Sequence, residues 1–128
     1  MRVTSASIAL VEDEALIAFL IQDELEAAGC EVVWLPNGDD ALRVFESEVD
    51  RFDAIITDIK MPGSADGWCV GKRVRELRPD MPVIYASGDS AENWRKFGVP
   101  NSVMLAKPFQ VEVALELLRK LVPKMCAL

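Results

Sequence analysis

Five short apolar runs recur along the chain, and each is followed by a stretch of helical spacing. The runs "SIALV" (7–11), "EVVWL" (31–35), "DAIIT" (53–57), "PVIYAS" (82–87) and "SVMLA" (102–106) have strand length and few polar breaks. Between the first two, "ALIAFLIQDELEAAG" (15–29) puts Ile17, Leu20, Ile21, Leu25 and Ala28 on one helical face, with Gly29 just past its end. Pro36-Asn37-Gly38 marks a turn, and Asp39 is placed to cap a helix carrying Ala41, Leu42, Val44 and Phe45. "WCVGKRVRELRP" (68–79) repeats the helical spacing at Val70, Val74 and Leu77, and Pro79 limits it. "SAENWRKFG" (90–98) has room for only a short helix, while "VEVALELLRKLV" (111–122) carries a stripe of Val113, Leu117 and Leu121.

The predicted order is therefore (βα)5. Strands separated by helices imply a parallel sheet with right-handed crossovers and helices on both faces. Strands covered on both sides read as continuous apolar runs, as these do. Ligands of an open α/β sheet gather outside the carboxyl ends of its strands. The residues that follow each strand thus carry the functional reading.

Length and charge narrow the classes. The chain has 128 residues, which suits one domain over 1–128, and no output domain is expected after the last helix. A hydrophobic share of 51% is enough for a sizeable core. The net charge of −7 disfavours nucleic acid and gives no attraction to an anionic membrane. There is no apolar run of membrane-spanning length, and Arg2 is not followed by a leader's apolar core, so a cytoplasmic protein is expected. Cys30, Cys69 and Cys126 form no zinc or CxxC pattern and read as reduced thiols, two of them buried. Cys126 is placed to crosslink two chains in oxidising buffer. The chain has no histidine, which removes serine–histidine and cysteine–histidine catalysis, histidine metal sites and any phosphohistidine of its own.

Acids, a hydroxyl and a lysine converge at the strand ends. Glu12, Asp13 and Glu14 follow the first strand, Asp58 the third, Ser87-Gly88 close the fourth, and Lys107-Pro108 follow the fifth. Glu12, Asp13 and Asp58 cannot all stay charged at short range without a counter-ion. An all-oxygen set suits a hard cation, Mg2+ or Mn2+. Beside it Asp58 stays ionised and can attack phosphorus. Phosphoryl transfer asks mainly for positioning and charge neutralisation, which Lys107 and the Ser87 hydroxyl can assist. Each residue alone has a plainer reading: Asp13 or Glu14 as a helix cap, Asp58 as a turn residue, Lys107 as a surface lysine. Their conjunction, in order and on separate strands, favours a site.

With these residues in hand, the sequence resembles the receiver domain of bacterial two-component response regulators. The motifs are "LVEDE" (10–14), "DAIITDIKMPG" (53–63), "DGW" (66–68), "VIYASG" (83–88) and "AKPF" (106–109). The resemblance implies a flavodoxin-like three-layer sandwich with strand order 2-1-3-4-5. It implies phosphorylation of Asp58 by a histidine kinase or a histidine phosphotransfer protein. It also implies Mg2+ at Glu12, Asp13, Asp58 and the Lys60 carbonyl, Ser87 as switch hydroxyl, Lys107 as phosphate-pairing lysine, and a cis Lys107–Pro108 peptide. Such a protein is no conventional enzyme, but it catalyses its own phosphorylation and dephosphorylation. The fourth strand looks closest to the subgroup carrying Phe-Ala-Thr-Gly, and the protein looks like a stand-alone regulator.

The chain departs from the family pattern at four places. Met104 stands where many receivers carry a switch aromatic, and Tyr85 is a candidate to take over part of that task. Ser87 replaces the commoner threonine. "MPGSADG" (61–67) is one residue longer than usual before Gly67, and 89–101 is short for a fourth helix. Lys60 and Asp89 are expected to pair over the site and tune hydrolysis. Leu16 and Phe19 are candidates for docking a kinase or phosphotransfer partner, and Trp94 and Phe97 for an output face. Phosphorylation is expected to bias the 88–105 surface. Three other readings compete with this one. A degenerate receiver would serve as an interaction module without phosphate. A flavodoxin-like cofactor protein would need a phosphate-cradling loop where "VEDEA" stands. A haloacid-dehalogenase-like phosphatase would need an Asp-x-Asp pair after the first strand.

Overall fold

Five parallel strands form one sheet in the order β2-β1-β3-β4-β5 in the computed structural model, which describes residues 6–89 and 91–125. Arg2 and Cys126, on which the leader and crosslinking expectations rest, lie outside the described residues. The strands are β1 (Ser7–Val11), β2 (Glu31–Leu35), β3 (Ala54–Asp58), β4 (Val83–Ser87) and β5 (Val103–Ala106). The helices are α1 (Ala15–Ala27), α2 (Gly38–Glu48), α3 (Gly67–Leu77), the single turn α4 (Trp94–Phe97) and α5 (Val111–Leu121).

Side chains of a strand alternate between faces, and that alternation sorts the core into two layers. Ile8, Leu10, Ile56 and Ile84 pack with Ala18 and Leu25 of α1 and Ala114 and Leu118 of α5. Ala9, Val11, Ile55, Val83 and Tyr85 pack on the other face with Ala41 and Phe45 of α2 and Val70 and Val74 of α3. Every residue of β1, β3 and β4 is buried, which is why those runs tolerate so few polar residues. Cys30 is buried and Cys69 is exposed. No described helix is long and apolar enough to cross a membrane.

Each of two helices packs most of its expected face on the core and turns one residue of it outward. In α1 the buried residues are Ala18, Ile21 and Leu25, and Leu20 is 56% exposed. In α5 the buried stripe is Val111, Ala114, Leu115 and Leu118, and Val113 is exposed. In both helices an alanine sits at the centre of the contact, where its small side chain lets the helix approach the sheet. The larger residue that the apolar spacing favours is turned aside.

The cap of α2 also differs from expectation. Asn37, with extended backbone, accepts the Asp40 amide at 2.7 Å. Asp39 already lies inside the first turn, and its carboxylate turns to the β3–α3 loop. There it accepts the Ser64 hydroxyl at 2.8 Å and the Ser64 amide at 3.1 Å. These bonds hold that charge below the usual carboxylate range, the hydroxyl contributing most. They also fix the longer loop, which Gly63 bends at φ 102°. The loop closes where the Gly67 amide donates to the Ile59 carbonyl at 2.8 Å and Asp66 caps α3 through the Cys69 amide at 2.9 Å. The Lys107–Pro108 peptide is cis, as the resemblance implied.

Candidate functional site

The register of the sheet assembles the site. β1 and β3 pair Val11 with Thr57, so the next residue of each strand, Glu12 and Asp58, emerges beside the other. Glu12 is 2% exposed and Asp58 9%. Lys107 leaves β5 at the far edge, and its long stem reaches back across the strand ends. Its ammonium donates to Glu12 Oε1 at 2.7 Å and lies 3.2 Å from Asp58 Oδ2. The remaining carboxylate oxygens take backbone amides, Glu12 Oε2 from Glu14 at 3.1 Å and Asp58 Oδ1 from Ile59 at 2.8 Å. Asp13 stands exposed at the mouth, and Glu12, Asp13 and Asp58 each offer an oxygen within 4.8 Å of the others.

Burial pushes the Asp58 carboxyl up to about 6, and the neighbouring Glu12 charge adds to it; Lys107 and the Ile59 amide pull it part of the way back. Burial acts on Lys107 in the opposite sense, but its bond to Glu12 and the charge of Asp58 outweigh that and leave it above its ordinary value. One lysine thus faces three carboxylates. The deficit of positive charge and the oxygen-only donor set both fit a divalent hard cation.

The other expected residues surround this centre at different depths. Ser87 is buried at the end of β4, where its hydroxyl accepts the Asp89 amide at 3.2 Å and its carbonyl the Lys107 amide at 2.8 Å. Lys60 and Asp89 do pair, at 2.7 Å, with side chains 70% and 65% exposed. Such a pair adds little stability. Tyr85 is wholly buried, its ring tilted against Trp68 with centroids 4.9 Å apart, and its hydroxyl accepts the Val99 amide at 3.1 Å. Met104 is its register partner on β5 and packs against the same cluster. Trp94 is half-buried and donates to the Ser102 hydroxyl at 2.8 Å, while Phe97 stays exposed against Trp68. Leu16 and Phe19 are exposed.

Two residues at the site carried no signal in the spacing. Asp39 fastens the β3–α3 loop from α2, and Trp34 donates its indole N–H to the Glu12 carbonyl at 2.7 Å. Both act through contacts more than twenty positions apart along the chain, which periodicity does not register.

Residues 8–119 match the model of the response regulator receiver domain family. The chain belongs to that family. The receiver is similar in structure to a response regulator receiver protein from Sinorhizobium medicae, with TM-score 0.87, 32% identity, and 94% of this chain and 96% of that one covered. It is also similar to the receiver domain of the sensor histidine kinase PA1611 from Pseudomonas aeruginosa, whose active-site cleft coordinates a magnesium ion. There the TM-score is 0.81 at 26% identity, over 94% of this chain and 98% of the other. Among curated proteins, the autoinducer 1 sensor kinase/phosphatase LuxN of Vibrio harveyi is 31% identical over 107 residues, 81% of this receiver. The receiver spans only 12% of LuxN's length and 34% of that of a Bacillus subtilis transcriptional regulatory protein. Membership of the receiver family replaces the cofactor-protein and phosphatase readings.

Proposed function

We propose that the protein is the phosphoacceptor of a two-component phosphorelay, with Asp58 as the residue that takes the phosphoryl group. The observation that carries this reading is the buried Glu12–Lys107–Asp58 cluster at the carboxyl edge of the sheet, with Asp13 at its mouth. The donor is a histidine kinase or a histidine phosphotransfer protein, since this chain has no histidine of its own. An Asp58 oxygen attacks phosphorus, the P–N bond to the donor imidazole breaks, and an acyl phosphate forms. Lys107 draws one phosphoryl oxygen and the Ser87 hydroxyl donates to another. Water later returns the Asp58 carboxylate and releases phosphate, so both steps run on the protein's own residues. Glu12, Asp13, Asp58 and the Lys60 carbonyl would hold Mg2+, or Mn2+ in its place. Bound there, the ion supplies charge neutralisation at the transferring oxygens.

Drawing Ser87 and Lys107 inward would bias the 88–105 surface towards a partner-binding form, with Tyr85 and Met104 between β4 and β5 as the tuning contact. The partner is a protein rather than nucleic acid or membrane, given the acidic surface, and the compartment is the cytoplasm. A receiver of the subgroup with Phe-Ala-Thr-Gly in strand four completes this reading. The alternative, an interaction module that never takes phosphate, is disfavoured by the intact set of Glu12, Asp13, Asp58, Ser87 and Lys107. Phosphotransfer from a panel of autophosphorylated histidine kinases and phosphotransfer proteins tests the two. Label passing to the wild type and not to Asp58→Asn supports the phosphoacceptor. A wild type that accepts label from none of them favours the interaction module.

A further inference from the structure

The Glu12 backbone is held on both sides by the edge strand β2. Its amide donates to the Leu35 carbonyl at 3.1 Å, and its carbonyl accepts the Trp34 indole N–H at 2.7 Å. The first bond continues the parallel ladder and needs no particular side chain. The second exists only because residue 34 is a tryptophan. Trp34 is 38% exposed on a strand that covers one edge of the sheet, so the core does not demand it. Its ring instead borders a shallow hollow with Ala15, Leu16, Phe19 and Gln22 at the start of α1. It therefore ties the acidic loop to β2, beside the start of α1.

The bonded carbonyl belongs to the peptide plane between Glu12 and Asp13. A peptide plane is rigid, and only ψ of Glu12 and φ of Asp13 turn on either side of it. Those two angles set how the buried Glu12 carboxylate and the exposed Asp13 carboxylate stand relative to each other. Cation sites need such geometry held to within about 0.5 Å. We propose that Trp34 is a positioning residue for the divalent-cation site. Its indole N–H fixes the Glu12–Asp13 peptide plane so that both carboxylates face one ion. This inference rests on the reading of Glu12, Asp13 and Asp58 as Mg2+ ligands.

The test separates the N–H from the bulk of the ring. Trp34→Phe removes both, whereas 3-benzothienylalanine at position 34 keeps the bicyclic shape and loses only the donor. Titration calorimetry with Mg2+ alone reads the affinity, and melting of the metal-free protein reads the fold. The expected result is an affinity about tenfold weaker in both proteins, the low end of what losing an outer hydrogen-bond partner of a ligand costs. The benzothienyl protein should melt close to wild type. Wild-type Mg2+ affinity in the benzothienyl protein overturns the proposal, because the ring would then act by packing alone. A wild type that binds no Mg2+ overturns the cation reading itself and the positioning role with it, so the two failures are distinct.

Discussion

Asp58 carries a charge where the sheet has little solvent to offer it, and its titration should be visible in stability. Its carboxyl stands at about 6 in the folded chain against an ordinary 3.8. Between those two values the folded chain holds the proton more tightly than the unfolded chain. Stability therefore falls as pH rises through that window. The cost of the ionised group at neutral pH is about 1–3 kcal/mol. Metal-free Asp58→Asn should thus melt above the wild type at about pH 7, with the gap closing towards about pH 4. Melting curves that run parallel across that range would contradict the assignment. Lys60 and Asp89 pose a different question, because their exposed pair lies at the rim rather than in the cluster. Lys60→Ala and Asp89→Ala should leave melting nearly unchanged yet alter the rate at which phosphorylated protein loses its phosphate. Identical decay rates in all three proteins would remove any gating role. The acids and Lys107 were legible in the sequence because each stands at or just past the carboxyl end of a strand. Trp34 was not, because its bond joins a strand to a loop 22 residues away and leaves no trace in spacing.

Helices and loops depend on close approaches that a hydrophobic pattern does not encode. The spacing of apolar residues named α1 and α5 correctly, but Ala18 and Ala114 set which way each helix turns. Leu20 and Val113 fit the period equally well and are exposed. Likewise Asn37 rather than Asp39 caps α2, a difference of two positions that only the backbone conformation decides. The β4–α4–β5 segment is tied down by side chains reaching to its backbone. Tyr85 accepts the Val99 amide, Ser102 donates to the Val99 carbonyl at 2.6 Å, and Arg75 of α3 donates to the Pro100 and Asn101 carbonyls. A side chain added at Gly71 would meet the Tyr85 hydroxyl at 2.2 Å, so the ring's place depends on that glycine. Tyr85→Phe should cost about 1 kcal/mol and speed hydrogen exchange at the Val99 amide without changing Mg2+ affinity. Unchanged exchange at Val99 would mean that the hydroxyl does not anchor the segment.

The (βα)5 succession was the most legible property, because apolar runs alternate with helical stretches, while the strand order 2-1-3-4-5 followed from the resemblance to receiver domains. Its consequence is that strand ends far apart in sequence deliver Glu12, Asp58 and Lys107 to one place. Leu16, Phe19 and Leu20 stand exposed on α1, and the short α4 leaves Phe97 exposed on the opposite side of the sheet. Two exposed apolar surfaces thus stand on separate faces of one small domain. All of this rests on Asp58 being the acceptor. The direct measurement is intact mass after incubation with a small acyl phosphate, with and without Mg2+. The wild type should gain one phosphoryl group only with Mg2+, and Asp58→Asn should gain none. Equal modification of Asp58→Asn, or a wild type that stays unmodified in saturating Mg2+ and donor, would contradict it.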